Sequence, residues 1–202
     1  MDSGSESDQG IARDDPGSSA AILPYLYVGD AAFACNTAAW KELGITHAVN
    51  CSSDDVELGK NVTSQFAAYT ELPIAEAIDE DVSEYFEQAY DAIFKAKTDE
   101  TRVLVFGEDG RGRAPCIIAA YMMMAGERQH KRLTLSMALK HMESKWASEI
   151  NGGFLSKLIA LEKSLYGEVS IRVPGKGEKH SGGSSRGRGG ARGRGSKGKR
   201  GK

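Results

Sequence analysis

The chain has 202 residues, of which 40% are apolar, and its formal net charge is −2. This length predicts one domain with terminal extensions, and the apolar share suffices for a buried core. The three cysteines lack metal-binding spacing, no secretion signal opens the sequence, and no apolar run is long enough to span a membrane. We therefore expect a soluble cytoplasmic or nuclear protein that requires no membrane, no metal and no organic cofactor.

The chain begins with an acidic segment. Residues 1–16 carry a net charge of −4 and few apolar side chains, so we expect residues 1–20 to form a disordered tail. The stretch "AILPYLYVGD" follows, with two short apolar pieces that are broken by Pro24 and closed by Gly29 and Asp30. Such pieces are typical of edge strands.

Helices and strands alternate after this pair. "NTAAWKELG" predicts a short helix with Asn36 as its N-cap and Gly44 as its stop, and "ITHAVNC" and "AAYTELPI" predict further strands. "DVSEYFEQAYDAIFKAK" predicts a longer helix. The residues of its predicted buried face are Phe86, Ala89, Tyr90, Ile93 and Phe94. The run "VLVF" is then typical of a central parallel strand covered on both faces.

The helix that follows is apolar almost all round. "GRAPCIIAAYMMMA" predicts a buried helix, with Pro115 in its first turn. Two amphipathic helices come next, the second with Asn151 as its cap. Their predicted apolar faces are Leu135, Leu139, Met142 and Trp146, and Phe154, Leu158, Leu161 and Leu165. The alternation predicts an α/β three-layer domain over residues 21–168, in which helices flank a central, mostly parallel sheet.

The segment "VLVFGEDGRGRAP" has the outline of a catalytic loop. A strand, a glycine-spaced turn, an arginine and a helix start form a cradle in which backbone N–H groups and the arginine bind one oxyanion. The predicted phosphate-binding residues are Glu108, Asp109, Gly110, Arg111, Gly112 and Arg113. The loop nevertheless contains no nucleophile.

Several stretches resemble the dual-specificity protein phosphatases of the cysteine-phosphatase superfamily. They are "ILPYLYVGDAAFACNTAAWKELGITHAVNCSSD", "ELPIAEAIDEDVSEYFEQAYDAI", "VLVFGEDGRGRAPCIIAAYMM" and the two closing helices with "INGGFLSKLIALEKSL". The resemblance covers nearly the whole core in the family's order. It implies a dual-specificity-phosphatase-like three-layer fold, while function rests on the residues of the site.

The family signature is H-C-x-x-G-x-x-R followed by Ser or Thr. Its positions here read Phe106, Gly107, Glu108, Asp109, Gly110, Arg111, Gly112, Arg113 and Ala114. The resemblance implies a thiolate nucleophile at Gly107 and a hydroxyl at Ala114, and neither is present. The family's general acid, an aspartate, aligns with Glu76, or alternatively with Asp79.

We therefore expect no catalytic residue and no enzymatic activity. Neither Cys116, inside a helix, nor Asp109, without a partner acidic cluster, is expected to replace the thiol. The chain is similar to the STYX-like pseudophosphatases, which have glycine at the nucleophile position, and this implies a binding role with a phosphorylated or other protein partner. Three alternatives stay open: Glu108 or Asp109 pairs with Arg113 and partly mimics the missing anion, Arg113 simply anchors the loop, or the loop captures phosphopeptides.

The C-terminal segment of the chain differs from the rest in charge and composition. Residues 174–202 carry a net charge of +9, and we expect residues 169–202 to be a disordered tail. The Arg-Gly repeats and Lys-rich end at residues 186–202 favour RNA or ribonucleoprotein association, with solubilisation, nuclear targeting or folding back on the acidic domain as alternatives. Recognition of RNA ends by the loop and tail, and residual protein phosphatase activity, are the competing functions.

Overall fold

The computed structural model describes residues 17–52 and 55–172. The Arg-Gly repeats and residues 1–16 of the predicted N-terminal tail lie outside these residues. A strand begins at Ser19, so the folded domain begins before residue 21, the predicted boundary. Within the described ranges, no helix combines the length and the apolar character needed to cross a membrane.

The residues that the structure describes form one sheet of five strands. These strands are β1 (Ser19–Leu23), β2 (Leu26–Asp30), β3 (Ile45–Asn50), β4 (Ala68–Glu71) and β5 (Arg102–Gly107), in the spatial order β1-β2-β5-β3-β4. The β1–β2 pairing is antiparallel and the other three pairings are parallel. The prediction of a mostly parallel sheet with "VLVF" as its central strand is confirmed. The prediction that β2 lies at an edge is wrong, because β2 is buried between β1 and β5.

Within residues 17–52 and 55–172, seven helices connect and cover the strands. They are α1 (Ala31–Cys35), α2 (Thr37–Glu42), α3 (Lys60–Thr63), α4 (Phe86–Thr98), α5 (Arg113–Arg128), α6 (Leu135–Glu143) and α7 (Gly152–Tyr166), and a 3₁₀ turn (Val82–Tyr85) precedes α4. The two predicted caps are present: Asn36 accepts from Ala39 N at 3.2 Å, and Asn151 from Phe154 N at 2.9 Å. Each cap satisfies one of the free N–H groups at a helix start.

The sheet separates two hydrophobic cores. Helices α4 to α7 cover one face, and α1 and α2 cover the other. The central strand β5 serves both cores, because successive side chains of a strand point to opposite faces. Val103 and Val105 belong to the first core, and Leu104 and Phe106 to the second. This arrangement fixes the carboxyl end of β5, from which the glycine-rich loop departs.

Some predicted helix faces differ in the structure. Phe94 is 40% exposed, because it lies at the outer edge of the buried stripe of α4 and stacks on Tyr90. Trp146 is buried as expected, but it lies beyond the end of α6. The deepest position near the end of α7 is a carboxylate: Glu162 is fully buried and accepts hydrogen bonds from Leu135 N and Ser170 N.

Candidate functional site

The loop between β5 and α5, residues 108–112, is held against the sheet on several sides. Gly110 has φ +71°, and a Cβ there would lie 2.5 Å from the carbonyl oxygen of Gly29 in β2, so only glycine fits. The indole N–H of Trp146 donates to the carbonyl of Gly110 at 2.8 Å, and Glu149 N donates to the carbonyl of Arg111 at 2.8 Å. The loop is thus tied to elements on both sides of it.

Arg113, the first residue of α5, is the electrostatic centre of the site. Its side chain is only 5% exposed, and Nη1 donates to the carbonyl oxygen of Ile74 at 3.1 Å. Three carboxylates surround the guanidinium. Asp55 Oδ2 accepts from Nη1, Glu76 Oε2 lies 3.3 Å from Nε, and Glu108 Oε2 lies 3.5 Å from Nη2. The guanidinium that would bind phosphate therefore already has anionic partners.

Asp55 reaches this centre because the carboxyl ends of neighbouring parallel strands meet at one edge of the sheet. It follows β3, the neighbour of β5. The buried side chain of Asn50 organises this connection: its Oδ1 accepts from Ser52 N at 3.0 Å, and its Nδ2 donates to the carbonyl of Val56 at 2.9 Å. These bonds bracket Asp55 and hold it toward Arg113.

Glu76 occupies the position where the start of α5 favours an anion. A Cβ placed on Gly112, the N-cap of α5, would lie 2.8 Å from Glu76 Oε2. The N-terminus of a helix carries partial positive charge and attracts carboxylates or phosphates. The other oxygen of Glu76 accepts from Asn151 Nδ2 at 2.9 Å. Glu76 is therefore held by an ion pair with Arg113 on one side and by a hydrogen bond from Asn151 on the other.

A pocket of about 390 Å³ opens over this centre. It is lined by Glu76, Glu108, Asp109, Arg111, Gly112, Arg113 and Glu149. Four carboxylates thus face two guanidinium groups, and Asp55 adds a further negative charge beside Arg113. Asp109 accepts from Arg111 N at 2.9 Å, which engages one backbone N–H of the cradle. An entering phosphate dianion would meet net negative charge, which opposes its binding.

Gly107, at the end of β5, has room for a side chain. A Cβ there would lie 3.9 Å from Ser52 Oγ and 4.0 Å from Arg113 Cβ, which are ordinary contact distances. Its φ is outside the left-handed region, so the backbone does not require glycine. Phe106 packs in the α1–α2 core, and Ala114 is fully buried in α5.

No nearby thiol is available to act as a nucleophile. Cys51 and Cys116 are fully buried, and burial raises the pKa of both thiols. The positive charge of Arg113 only partly opposes this effect at Cys51. Cys35 is exposed, but it lies at the end of α1 and does not line the pocket. A protonated, buried thiol is a poor nucleophile.

The pocket contains most of the residues predicted from the sequence. Five of the six predicted phosphate-binding residues line it; Gly110 instead packs against β2. Glu76 lines the pocket, whereas Asp79 is exposed and does not. Sequence reasoning missed Asp55 and Glu149, and it identified Asn151 as a helix cap but not as a partner of Glu76. The position of Asp55 just beyond a strand next to β5 could have identified it, but no local pattern marks Glu149.

Comparisons with known proteins agree with this fold. A family model described as "Dual specificity phosphatase, catalytic domain" matches residues 26–164. Dual specificity protein phosphatase 1 of Arabidopsis thaliana is 32% identical over 141 residues, which cover 69% of this chain and 67% of that protein. Dual specificity protein phosphatase 26 of Bos taurus is 33% identical over 152 residues, which cover 71% and 67%.

Among solved structures, human DUSP28 superposes with a TM-score of 0.66 at 26% identity, covering 76% of this chain and 99% of that chain. The chain therefore belongs to the dual-specificity phosphatase family, as its resemblance implied. Its fold is the α/β fold of that family, with a mixed five-stranded sheet flanked by helices.

Proposed function

We propose that this protein is a catalytically inactive member of its family, a pseudophosphatase that binds a protein partner as a scaffold or regulator. One observation supports the proposal: Gly107, which aligns with the nucleophile position of the family signature, lies next to an arginine that is already engaged by Asp55, Glu76 and Glu108. The relatives are named as phosphatases, so the proposal concerns what distinguishes this chain from them.

The chemistry of the family explains why these features oppose turnover. A thiolate must attack phosphorus, and an acid must protonate the leaving oxygen. Gly107 supplies no attacking atom, and the loss of a nucleophile in a hydrolase costs on the order of 10⁶ in rate. Glu76, which aligns with the general-acid position, is ion-paired with Arg113 and accepts a hydrogen bond from Asn151. This is the opposite role to donating a proton.

The same contacts favour binding that does not depend on phosphate. To reach Arg113, a phosphate must displace carboxylates that are part of the chain and so are always present at high local concentration. The pocket's excess of carboxylates also opposes a dianion. The ion pair with Glu108 and an anchoring role for Arg113 are therefore favoured over the capture of phosphopeptides.

Graded variants test this proposal. We expect no turnover of p-nitrophenyl phosphate by the natural protein and little recovery with Gly107→Cys alone, because the carboxylates still block Arg113. Adding Asp55→Asn and Glu108→Gln should increase turnover and create measurable binding of tungstate. Glu76 is kept in both backgrounds, so that a candidate acid remains.

Two results would overturn the proposal. The first is turnover by the natural protein that is lost in Arg113→Ala. The second is calorimetric binding of a phosphotyrosyl or phosphothreonyl peptide that needs both the phosphate and Arg113, since this would make the protein a phosphoprotein-capture module. Folding of each variant is checked by near-UV circular dichroism.

A second activity is proposed for the basic end. Residues 186–202 combine Arg-Gly repeats with a Lys-rich terminus, and such segments bind RNA by phosphate attraction and guanidinium stacking. We propose RNA or ribonucleoprotein association through them, in the cytoplasm or nucleus. Full-length protein should recover RNase-sensitive partners in a salt-dependent manner. Replacement of the six arginines and lysines after position 191 by glutamine should abolish this recovery.

A further inference from the structure

An apolar groove of about 270 Å³ lies at the opposite end of the sheet from the glycine-rich loop. Its walls come from the β1–β2 turn, from the carboxyl ends of α4 and α5, and from the start of α6. The apolar lining includes Leu23, Tyr25, Tyr121, Met122, Leu133 and Met137. Met137 is 55% exposed, so a large apolar side chain faces solvent at this groove. Such a surface can be covered by an apolar group of another molecule.

The rim of the groove is positively charged. Lys97, Lys131 and Arg132 lie on this rim, and Arg132 is ion-paired with Glu168 at 3.0 Å. Over residues 17–52 and 55–172, no carboxylate is ion-paired with Lys97 or Lys131, and the ammonium group of Lys97 lies 5.7 Å from the ring centroid of Tyr25. Because an unpaired ammonium group attracts carboxylates, the groove favours a ligand in which an apolar side chain is flanked by acidic residues.

A segment of this chain with that chemistry lies at the other end of the sheet. The segment "EAIDED", residues 76–81, contains four carboxylates and no basic side chain. Ile78, near its centre, is 74% exposed. The first and last of the four carboxylates are ion-paired within the domain. In the part of the chain that the structure describes, Asp79 and Glu80 have no such partner. Two unpaired carboxylates beside Ile78 thus match two unpaired ammonium groups beside the groove.

The backbone around Ile78 is held in a turn that presents this side chain. Glu80 N donates to the carbonyl of Ala77 at 3.4 Å, which closes a β-turn over residues 77–80, the Ile78 turn. The turn packs directly on the start of α7, where a Cβ on Gly153 would lie only 1.9 Å from the carbonyl oxygen of Ile78. A side chain presented on a preformed turn loses less conformational freedom on binding than one on a free segment.

The Ile78 turn and the groove cannot meet within one copy of the chain. The turn follows β4 at the carboxyl ends of the parallel strands, where the neighbouring Glu76 lines the pocket over Arg113. The groove lies at the other end of the sheet, where Tyr25 directly precedes β2. The six residues of β5 alone span about 20 Å between these ends. A contact between the two surfaces therefore joins different copies.

We propose that the Ile78 turn of one copy docks in the groove of a second copy of this chain. Ile78 packs against Met137 and Leu133, and Asp79 and Glu80 face the lysines of the rim. The contact is small, so we expect a dissociation constant on the order of 100 µM, and it should weaken at high salt. This inference does not depend on the loss of catalysis, because it involves none of the side chains that engage Arg113.

Two complementary variants of the full chain test the contact. Ile78→Ser removes the apolar anchor and keeps the groove, whereas Lys97→Glu with Lys131→Glu reverses the charge of the rim and keeps the turn. Sedimentation equilibrium should show self-association of the natural chain, and each variant should weaken it by about tenfold or more. An equimolar mixture of the two variants should recover association, but only as pairs, because the intact turn of one meets the intact groove of the other.

Matched variants control for charge and for folding. Lys41→Glu with Lys60→Glu makes the same change of charge at two exposed lysines on the face of the sheet that α1 and α2 cover, and it should leave the association unchanged. Ile78→Leu should retain it. Backbone amide spectra report whether each variant keeps the fold.

The Met137 methyl signal reports on the groove itself. In isotope-labelled Ile78→Ser chain, this signal should shift when unlabelled Lys97→Glu, Lys131→Glu chain is added. The shift should be absent when the added chain also carries Ile78→Ser, because no intact turn is then present.

Three results overturn the proposal. One is the absence of self-association by the natural chain at about 1 mM in low salt, because the groove would then serve another ligand, such as an acidic segment of a different protein. Another is undiminished association of Ile78→Ser, which would assign the contact to a different surface or to the basic residues 174–202. The third is a mixture of the two variants that associates no more than either variant alone, because the groove would then not receive the turn.

Discussion

The two ends of the central sheet differ in whether their positively charged side chains are paired with carboxylates. At the loop end, a buried guanidinium is surrounded by carboxylates from three separate connections. At the groove end, Lys97 and Lys131 flank an apolar surface, with no carboxylate paired to either among the residues that the structure describes. At the loop end, the buried guanidinium is thus paired within the site, whereas at the groove end an apolar surface lies exposed beside two lysines. The following predictions test how far each end depends on these arrangements.

The largest expected effect is on the free energy of unfolding, and it should distinguish two glycines of the loop region. Gly110→Ala forces a left-handed φ and a clash with the carbonyl of Gly29, and should lower the free energy of unfolding by about 3 kcal/mol. Gly107→Ala meets only ordinary contacts and should change it by less than about 1 kcal/mol. Urea denaturation measures both. Equal effects would show that Gly110 does not anchor the loop on β2.

The next effect concerns Arg113. Arg113→Ala removes the hydrogen bond to Ile74 and leaves three carboxylates without their common partner. Loss of one member of a buried ion pair costs about 3–5 kcal/mol. These carboxylates are 44–69% exposed, so solvent screening reduces the expected loss to about 2 kcal/mol. Adding Asp55→Asn should recover part of this loss, and a strictly additive double variant would contradict the coupling.

At the groove end, Glu162 supports the start of α6. Its fully buried carboxylate accepts from Leu135 N at 2.9 Å and Ser170 N at 2.8 Å. Glu162→Ala leaves both donors unsatisfied and should cost about 2 kcal/mol. Glu162→Gln keeps one acceptor and should cost less. Hydrogen exchange of the two amides measures the change, and unaltered protection in Glu162→Ala would argue against this role.

The smallest effect is a pH dependence within the sheet. Burial lowers the pKa of His47, although Asp99 at 3.8 Å partly opposes the shift. The unfolded state therefore binds a proton at higher pH than the folded state does, and stability falls as the pH drops below about 6.5. His47→Gln should flatten this dependence when urea midpoints are compared at pH 7.5 and 5.5. An unchanged slope would assign the acid sensitivity to other groups.

Much of the fold was predictable because it depends on local patterns. The continuous apolar run that predicts β5 and the N-caps Asn36 and Asn151 are each set by residues within a few positions of one another. The interior position of β2 and the exposure of Phe94 were not predictable in this way. Both depend on which element packs alongside, and no property of the strand or the helix itself determines that.

The amino-acid sequence alone determines that position 107 carries no thiol, because this is a property of one residue. The sequence likewise determines which positions of the loop carry arginine and glycine. The environment of Arg113 is different in kind. Asp55, Glu76 and Glu108 are separated by up to 53 positions, and only the meeting of β3, β4 and β5 at one sheet edge brings them to one guanidinium. Electrostatic energy depends on distances in space, so only the tertiary structure decides whether that arginine is available to a ligand.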